Sequence, residues 1–142
     1  MIEEIAAKLD LLKDYINILR SYQKHKINEL KENFTLRGAI ERYFEISLEC
    51  ALDIGEMIIS AENFEKPDSY REIIEVLGNH NVLPKEFSEK FAPAASFRNI
   101  LVHAYARLDI EKLYELLQEN LDDFDEFSRY IAEYLINKGE TL

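Results

Sequence analysis

The stretch Phe97–Tyr105 reads FRNILVHAY, an apolar run that carries an arginine, an asparagine, a histidine and a tyrosine. Its spacing predicts a helix. At about 100° per residue, with Arg98 at 0°, Ala94, Leu101, Val102 and Tyr105 fall within about 60° of it. Arg98 is therefore centred on an apolar stripe. Ionised side chains are seldom buried without a partner, so Arg98 must meet a carboxylate, line a cavity or face another subunit. His103 lies about 140° from Arg98 and Asn99 about 100°, and these two, four residues apart, form a second polar stripe.

The rest of the chain is read outward from this helix. Glycine and proline are scarce, at four and three, strand-like alternation is absent, and helical periodicity dominates. A first helix is expected from about Ile2 to Glu32, with Ile5, Leu9, Leu12, Ile16 and Leu19 as its core stripe. Asn33 or Thr35 caps a second helix, Leu36–Ala61, whose stripe is Ile40, Phe44, Ser47, Ala51, Ile54 and Ile58. After Pro67, Asp68 or Ser69 caps a short helix, Tyr70–Leu77, with Gly78 as its C-terminal cap. Pro84 opens a fourth helix running to about Tyr105, with a kink expected at Pro93. Asp109 caps a last helix, Ile110–Asn137, with "ENLDD" as a point of interruption and Leu113, Leu117, Leu121, Phe124, Ile131 and Tyr134 as its core face. The expectation is an all-α, antiparallel bundle of about five helices forming a single domain over residues 1–142.

The totals exclude several classes of function. A formal net charge of −11 argues against broad electrostatic attraction to nucleic acid or to an anionic membrane. No run approaches a membrane span, and the acidic start MIEEIAAKLD has no secretory pattern. Cys50 is the single cysteine; it sits in a helical pattern where a buried, inert thiol is expected, and the chain suits a reducing cytoplasm. Abundant Glu, Lys, Ile and Leu with two Gln lean towards a thermophile. There is no glycine-rich phosphate loop, no paired-cysteine zinc pattern and no His-Glu-x-x-His, so neither a metal site nor a cofactor is expected.

Two readings of the fourth helix stay open on its residues alone. One is a structural arginine–carboxylate pair beside a hydrogen-bonded histidine. The other is an anion-binding arginine beside an imidazole that moves protons near neutrality. The second points to phosphodiester chemistry on RNA, where the 2′-hydroxyl attacks its own phosphate and no metal-bound water is required. Such chemistry uses both a base and an acid, and the motif holds one histidine. A two-fold dimer with this helix at its interface supplies two.

The motif RNILVHAY is similar to the Arg-x4-His-x-Tyr signature of the HepT family of HEPN-domain toxins, and the resemblance extends through RGAIERYFEISLECALDIGEMII, PDSYREIIEVL, LPKEF and IEKLYELLQENLDDFDEF. It implies a HEPN-like homodimer and a metal-independent endoribonuclease, the toxin of a toxin–antitoxin pair. By that resemblance Arg98 and His103 from both chains are the catalytic residues and Asn99 supports them. Tyr105 becomes the residue that a cognate MNT nucleotidyltransferase antitoxin modifies with AMP, which adds charge and bulk beside Arg98. Arg37 and Arg42 are candidate cations along the approach of RNA to the cleft. The alternative is a non-catalytic HEPN subunit that binds a nucleotide or docks a nucleotidyltransferase.

Overall fold

The computed structural model describes residues 1–103 and 109–139, with backbone alone at 102 and 103. It is all-α, with seven helices among the described residues: α1 (Ile2–Ser21), α2 (Ile27–Glu32), α3 (Phe34–Glu62), α4 (Tyr70–Asn79), α5 (Lys85–His103), α6 (Ile110–Glu119) and α7 (Asp122–Asn137). Four of them make an up-down-up-down frame. Along α1, Lys8 meets Asp53 and Tyr15 meets Tyr43, so α1 and α3 run antiparallel. Arg20 reaches Asp122 at the start of α7, while Lys138 just past its end reaches Glu62 at the end of α3. Phe87 packs on Tyr130 and Phe91 on Phe124, which sets α5 antiparallel to α7.

The core follows the helical stripes. Ile5, Leu12, Ile16 and Leu19 of α1 are buried, as are Ile40, Phe44, Ser47, Ala51, Ile54 and Ile58 of α3 and Leu113, Leu117, Leu121, Phe124 and Ile131 towards the C-terminus. Leu9 and Tyr134 pack at its margin. Removing a stripe of such side chains from water supplies the main driving force for assembly, roughly 1.5–3 kcal/mol for each large one. Ser47 joins the apolar stripe at no cost in unpaired polarity, because its hydroxyl donates to the Tyr43 carbonyl at 2.6 Å. Cys50 is buried, its thiol donates to the Lys8 carbonyl, and burial pushes it up to about 11.

Three caps stand where their residue types ask for them. Asn33 accepts from the Leu36 N–H, Ser69 from Glu72 and Asp109 from Lys112. Pro84 opens α5, its carbonyl accepting from the Ser88 N–H at 2.9 Å. Helix α5 continues through Pro93, which lies on the exposed side. The last expected helix does divide, at Asn120–Leu121.

Two expectations need correction, and with them the number of helices. The first helix does not run to Glu32; it ends at Ser21, and a turn over residues 22–26 leads into α2. Helix α6 holds that turn: the Gln118 side chain donates to the Gln23 carbonyl, Tyr114 Oη donates to the His25 carbonyl, and Gln23 donates to the Leu117 carbonyl. Tertiary partners satisfy the backbone groups that a continued helix would have paired internally. Gly78 is not a cap but lies inside α4. A Cβ there would stand 2.1 Å from Ser88 Oγ, so the glycine admits the close approach of α5. The left-handed conformation after α4 belongs instead to Asn81, at φ 58°. Gly55 plays the same part on the other side of α4, where a Cβ would lie 2.6 Å from Ile73 Cγ2. Helix α4 is thus wedged between α3 and α5, and this fixes its first residue, Tyr70.

Candidate active site

Arg98 continues the buried stripe of α5. Phe91 and Phe87, both buried, lie within about 20° of it on the helix. Its side chain crosses to α3, where Nη2 donates to Glu49 Oε1 at 2.8 Å. Its guanidinium also lies over the Tyr70 ring, 4.8 Å from the centroid, a cation–π geometry. The Arg98 side chain is 19% exposed and that of Glu49 35%. Two of the three outcomes expected of an arginine on an apolar stripe are therefore realised within one chain: it meets a carboxylate and it lines a hollow. That hollow, of about 130 Å³, is walled by Glu49, Leu52, Asp53, Glu56, Tyr70 and Arg98. The apolar setting of Arg98 does not by itself require a second copy of the chain.

The pairing is incomplete. Arg98 Nε is buried with no hydrogen-bond partner among the described residues. A buried unpaired donor costs about 1–3 kcal/mol, more on a charged group, so the position carries an expense that packing alone does not explain.

The other expected site residues are placed unevenly. Helix α5 is continuous from Arg98 to His103, so the backbone carries His103 about 140° round and about 7.5 Å along the axis from Arg98. Asn99 is exposed. Tyr105 lies outside the described residues. Arg42 pairs with Glu45 at 3.3 Å and is largely exposed; seven residues before Glu49, it shares that residue's face about 10 Å along α3. Arg37 pairs with Glu41 at 3.5 Å and lies over the Phe34 ring at 4.7 Å; it points about 120° away from Glu49. Burial raises the Glu41 carboxyl, and Arg37 only partly opposes the shift. On α3, Arg42 thus shares the helical face of Glu49 and Arg37 does not. Two residues of the site, Glu49 and Tyr70, carry no short-range sequence signal, for Glu49 is 49 positions from its partner.

The remaining histidines are surface groups: His25 bonds Glu29, and His80 bonds Glu65 while stacking on Phe64. Among the described residues no three His, Cys, Asp or Glu side chains group to hold a metal ion, and no helix is long and apolar enough to cross a membrane. On the other side of α5 a hollow of about 500 Å³ is lined by Phe44, Leu48, Phe97, Ile100 and Leu116 among others. It is the larger of the two, but Arg98 does not enter it.

The antiparallel helical bundle, with an inward arginine on α5 and a histidine five residues on, is the arrangement that the HEPN resemblance implies. The chain belongs to the HepT-like family, described as Ribonuclease HepT-like, which it matches over residues 12–131. It is 26% identical over 136 residues to a tRNA nuclease HepT of Aphanizomenon flos-aquae, with 96% of this chain and 92% of that one covered. It is likewise 26% identical over 100 residues to an mRNA nuclease HepT of Shewanella oneidensis, with 70% and 75% covered. Its fold is similar to that of a tri-AMPylated Shewanella oneidensis HEPN toxin solved in complex with MNT antitoxin, at a TM-score of 0.82 and 24% identity, covering 91% of this chain and 96% of that one.

Proposed function

We propose that this protein is the toxin of a HEPN–MNT pair and cleaves RNA without a metal ion through a composite site in which Arg98 of one chain works with His103 of another. The observation that carries this reading is Arg98 itself: an inward, incompletely paired arginine on the helix that bears His103, in a family named for a ribonuclease. Arginine offers a planar fork to a phosphate, and charge developing on the phosphorane oxygens is met by fixed donors. Histidine takes the proton from the 2′-hydroxyl or returns one to the leaving 5′-oxygen. The 140° between Arg98 and His103 within one helix suits residues that serve different halves of a two-fold cleft.

Modification of Tyr105, two positions beyond the end of α5 and seven beyond Arg98 in sequence, adds a phosphate and a base that would compete with RNA for Arg98. The relatives support both halves of the reading, one named for tRNA, another for mRNA, and a structural neighbour AMPylated and bound to an MNT antitoxin. A non-catalytic subunit that docks the nucleotidyltransferase is favoured by one observation, the engagement of Arg98 by Glu49.

The test is cleavage of tRNA and of an mRNA fragment in EDTA. Wild type should cut one of them, and Arg98→Ala and His103→Ala should not. Mixing these two inactive variants should restore part of the activity if the site spans two chains. No cleavage by wild type leaves the docking subunit as the reading. For Tyr105, mass gain in units of AMP after incubation with the partner and ATP should vanish in Tyr105→Phe.

A further inference from the structure

Resting on the ribonuclease reading, we infer that Glu49, with Tyr70 as its platform, is the positioning residue of Arg98, holding one terminal N–H so that the other terminal donors are presented to an RNA phosphate. A guanidinium has five N–H donors. In Arg98 one is committed, from Nη2 to Glu49 Oε1 at 2.8 Å, and Nε is buried and unpaired. The donors that remain for a ligand are the terminal ones, the two hydrogens of Nη1 and the second of Nη2. One hydrogen of Nη1 together with the free one of Nη2 can make an end-on fork that donates to a phosphate in a bidentate manner.

Two contacts fix the plane of that fork. The Tyr70 ring covers one face at 4.8 Å. Glu49 holds one edge. Tyr70 is in turn held by the Ser69 cap at the start of α4 and by the wedge of α4 between α3, at Gly55, and α5, which Gly78 admits. An arginine with four rotatable side-chain torsions is thereby given one orientation before RNA arrives. Preorganisation of this kind acts on the chemical step more than on encounter.

The charge of Glu49 has an opposite effect on binding. It offsets the arginine's attraction for phosphate, as do Asp53 and Glu56 in the wall of the same hollow. The two effects of Glu49 therefore separate on substitution. Glu49→Gln keeps an oxygen that accepts from Nη2 but removes the charge. Glu49→Ala removes both.

The experiment measures kcat and KM separately on a fluorophore-labelled tRNA and a labelled mRNA fragment, alongside the Arg98 Nε–H resonance of 15N-arginine-labelled protein. Glu49→Ala should lower kcat by about 10- to 100-fold, the scale of a small misplacement of a reacting group. Glu49→Gln should keep kcat within about threefold, since the hydrogen bond persists, and should lower KM. Tyr70→Leu should behave as a weaker form of Glu49→Ala. The Nε–H proton, shielded in wild type, should exchange freely with water in Glu49→Ala.

Unchanged kcat in Glu49→Ala, equal losses of kcat in the Ala and Gln variants, or an unaltered Nε–H resonance overturns the positioning role. Glu49→Gln and Tyr70→Leu keep the question answerable if Glu49→Ala does not fold. An Arg98→Ala variant as active as wild type, or a wild type that cuts neither RNA, removes the ribonuclease reading itself and this role with it. If Arg98→Ala is inactive and Glu49→Ala is not, only the inference about Glu49 fails.

Discussion

Two arginines tie distant parts of this chain together, and they do so in different ways. Arg20, at the end of α1, meets Asp122 at 2.8 Å and also Asp125, both in the first turn of α7. Its side chain is 32% exposed, and the bond to Asp125 above all holds it above its ordinary range, against a smaller opposing effect of burial. Arg98 is less exposed and, among the described residues, has one carboxylate and an aromatic face and keeps a buried N–H without a partner. Arg20 is an arginine whose surroundings complete it. Arg98 is held but not completed, which is what a residue waiting for a phosphate requires. Counting ion pairs would rank Arg20 as the more important; counting unmet donors ranks Arg98 first.

The largest expected effect tests this ranking directly. Arg98→Ala should reduce RNA cleavage by at least about 100-fold, the scale of removing one fixed donor from a developing charge. Arg20→Ala should leave the rate within about threefold, because a solvent-exposed pair contributes structure and little else. Comparable losses in both variants, measured on protein of matched fold by circular dichroism, would break the contrast.

A second substitution reaches the Arg98 side through packing. Gly78→Ala places a methyl group against Ser88, where Cβ would meet Oγ at 2.1 Å and Cβ at 2.6 Å. Overpacking of this kind costs about 1–3 kcal/mol. It should also shift α4, and with it Tyr70, so urea unfolding should show the loss of stability and the cleavage assay a loss of rate. Thermal unfolding of Arg20→Ala should show a smaller change, about 0.2–1 kcal/mol, that shrinks further in high salt.

The comparison also shows what the sequence could and could not disclose. The stripes of α1, α3 and the C-terminal helices are periodic, so Ile40, Phe44 and Ile58 announce their burial, and Asn33, Ser69 and Asp109 announce their caps. The angular position of Arg98 predicts a carboxylate, a cavity or a second subunit, and the first two are found. Nothing local names that partner as Glu49, because the pairing is made by the crossing of two helices far apart in the chain. The turn at residues 22–26 was hidden for the same reason: the side chains that hold its carbonyls, Tyr114 and Gln118, come from α6. Gly78 looks like a cap in sequence because a glycine near a helix end usually is one, while its real constraint is a neighbour ten residues on. His103 rests on the family motif and the continuity of α5, and Tyr105 on the motif alone.

The smallest expected effect concerns the peripheral ion pairs that resemble Arg20 rather than Arg98. Hydrogen bonds from Lys138, His80 and His25 lower the carboxyls of Glu62, Glu65 and Glu29 below the ordinary glutamate value of 4.5. A carboxyl depressed in the folded state stabilises that state above its unfolded value, and the benefit is lost as pH falls through the folded value. The urea midpoint should therefore be insensitive to these groups from pH 7 to about 5 and fall below about 4.5. Glu62→Gln should flatten part of that decline, because Lys138 then bonds the same neutral amide oxygen at every pH. All three glutamates lie at the surface, so solvent screening keeps each contribution small and 0.5 M salt should reduce it further. A decline that Glu62→Gln leaves untouched would place the acid sensitivity outside the Glu62–Lys138 pair, and the same substitution at Glu65 and at Glu29 then separates the other two pairs.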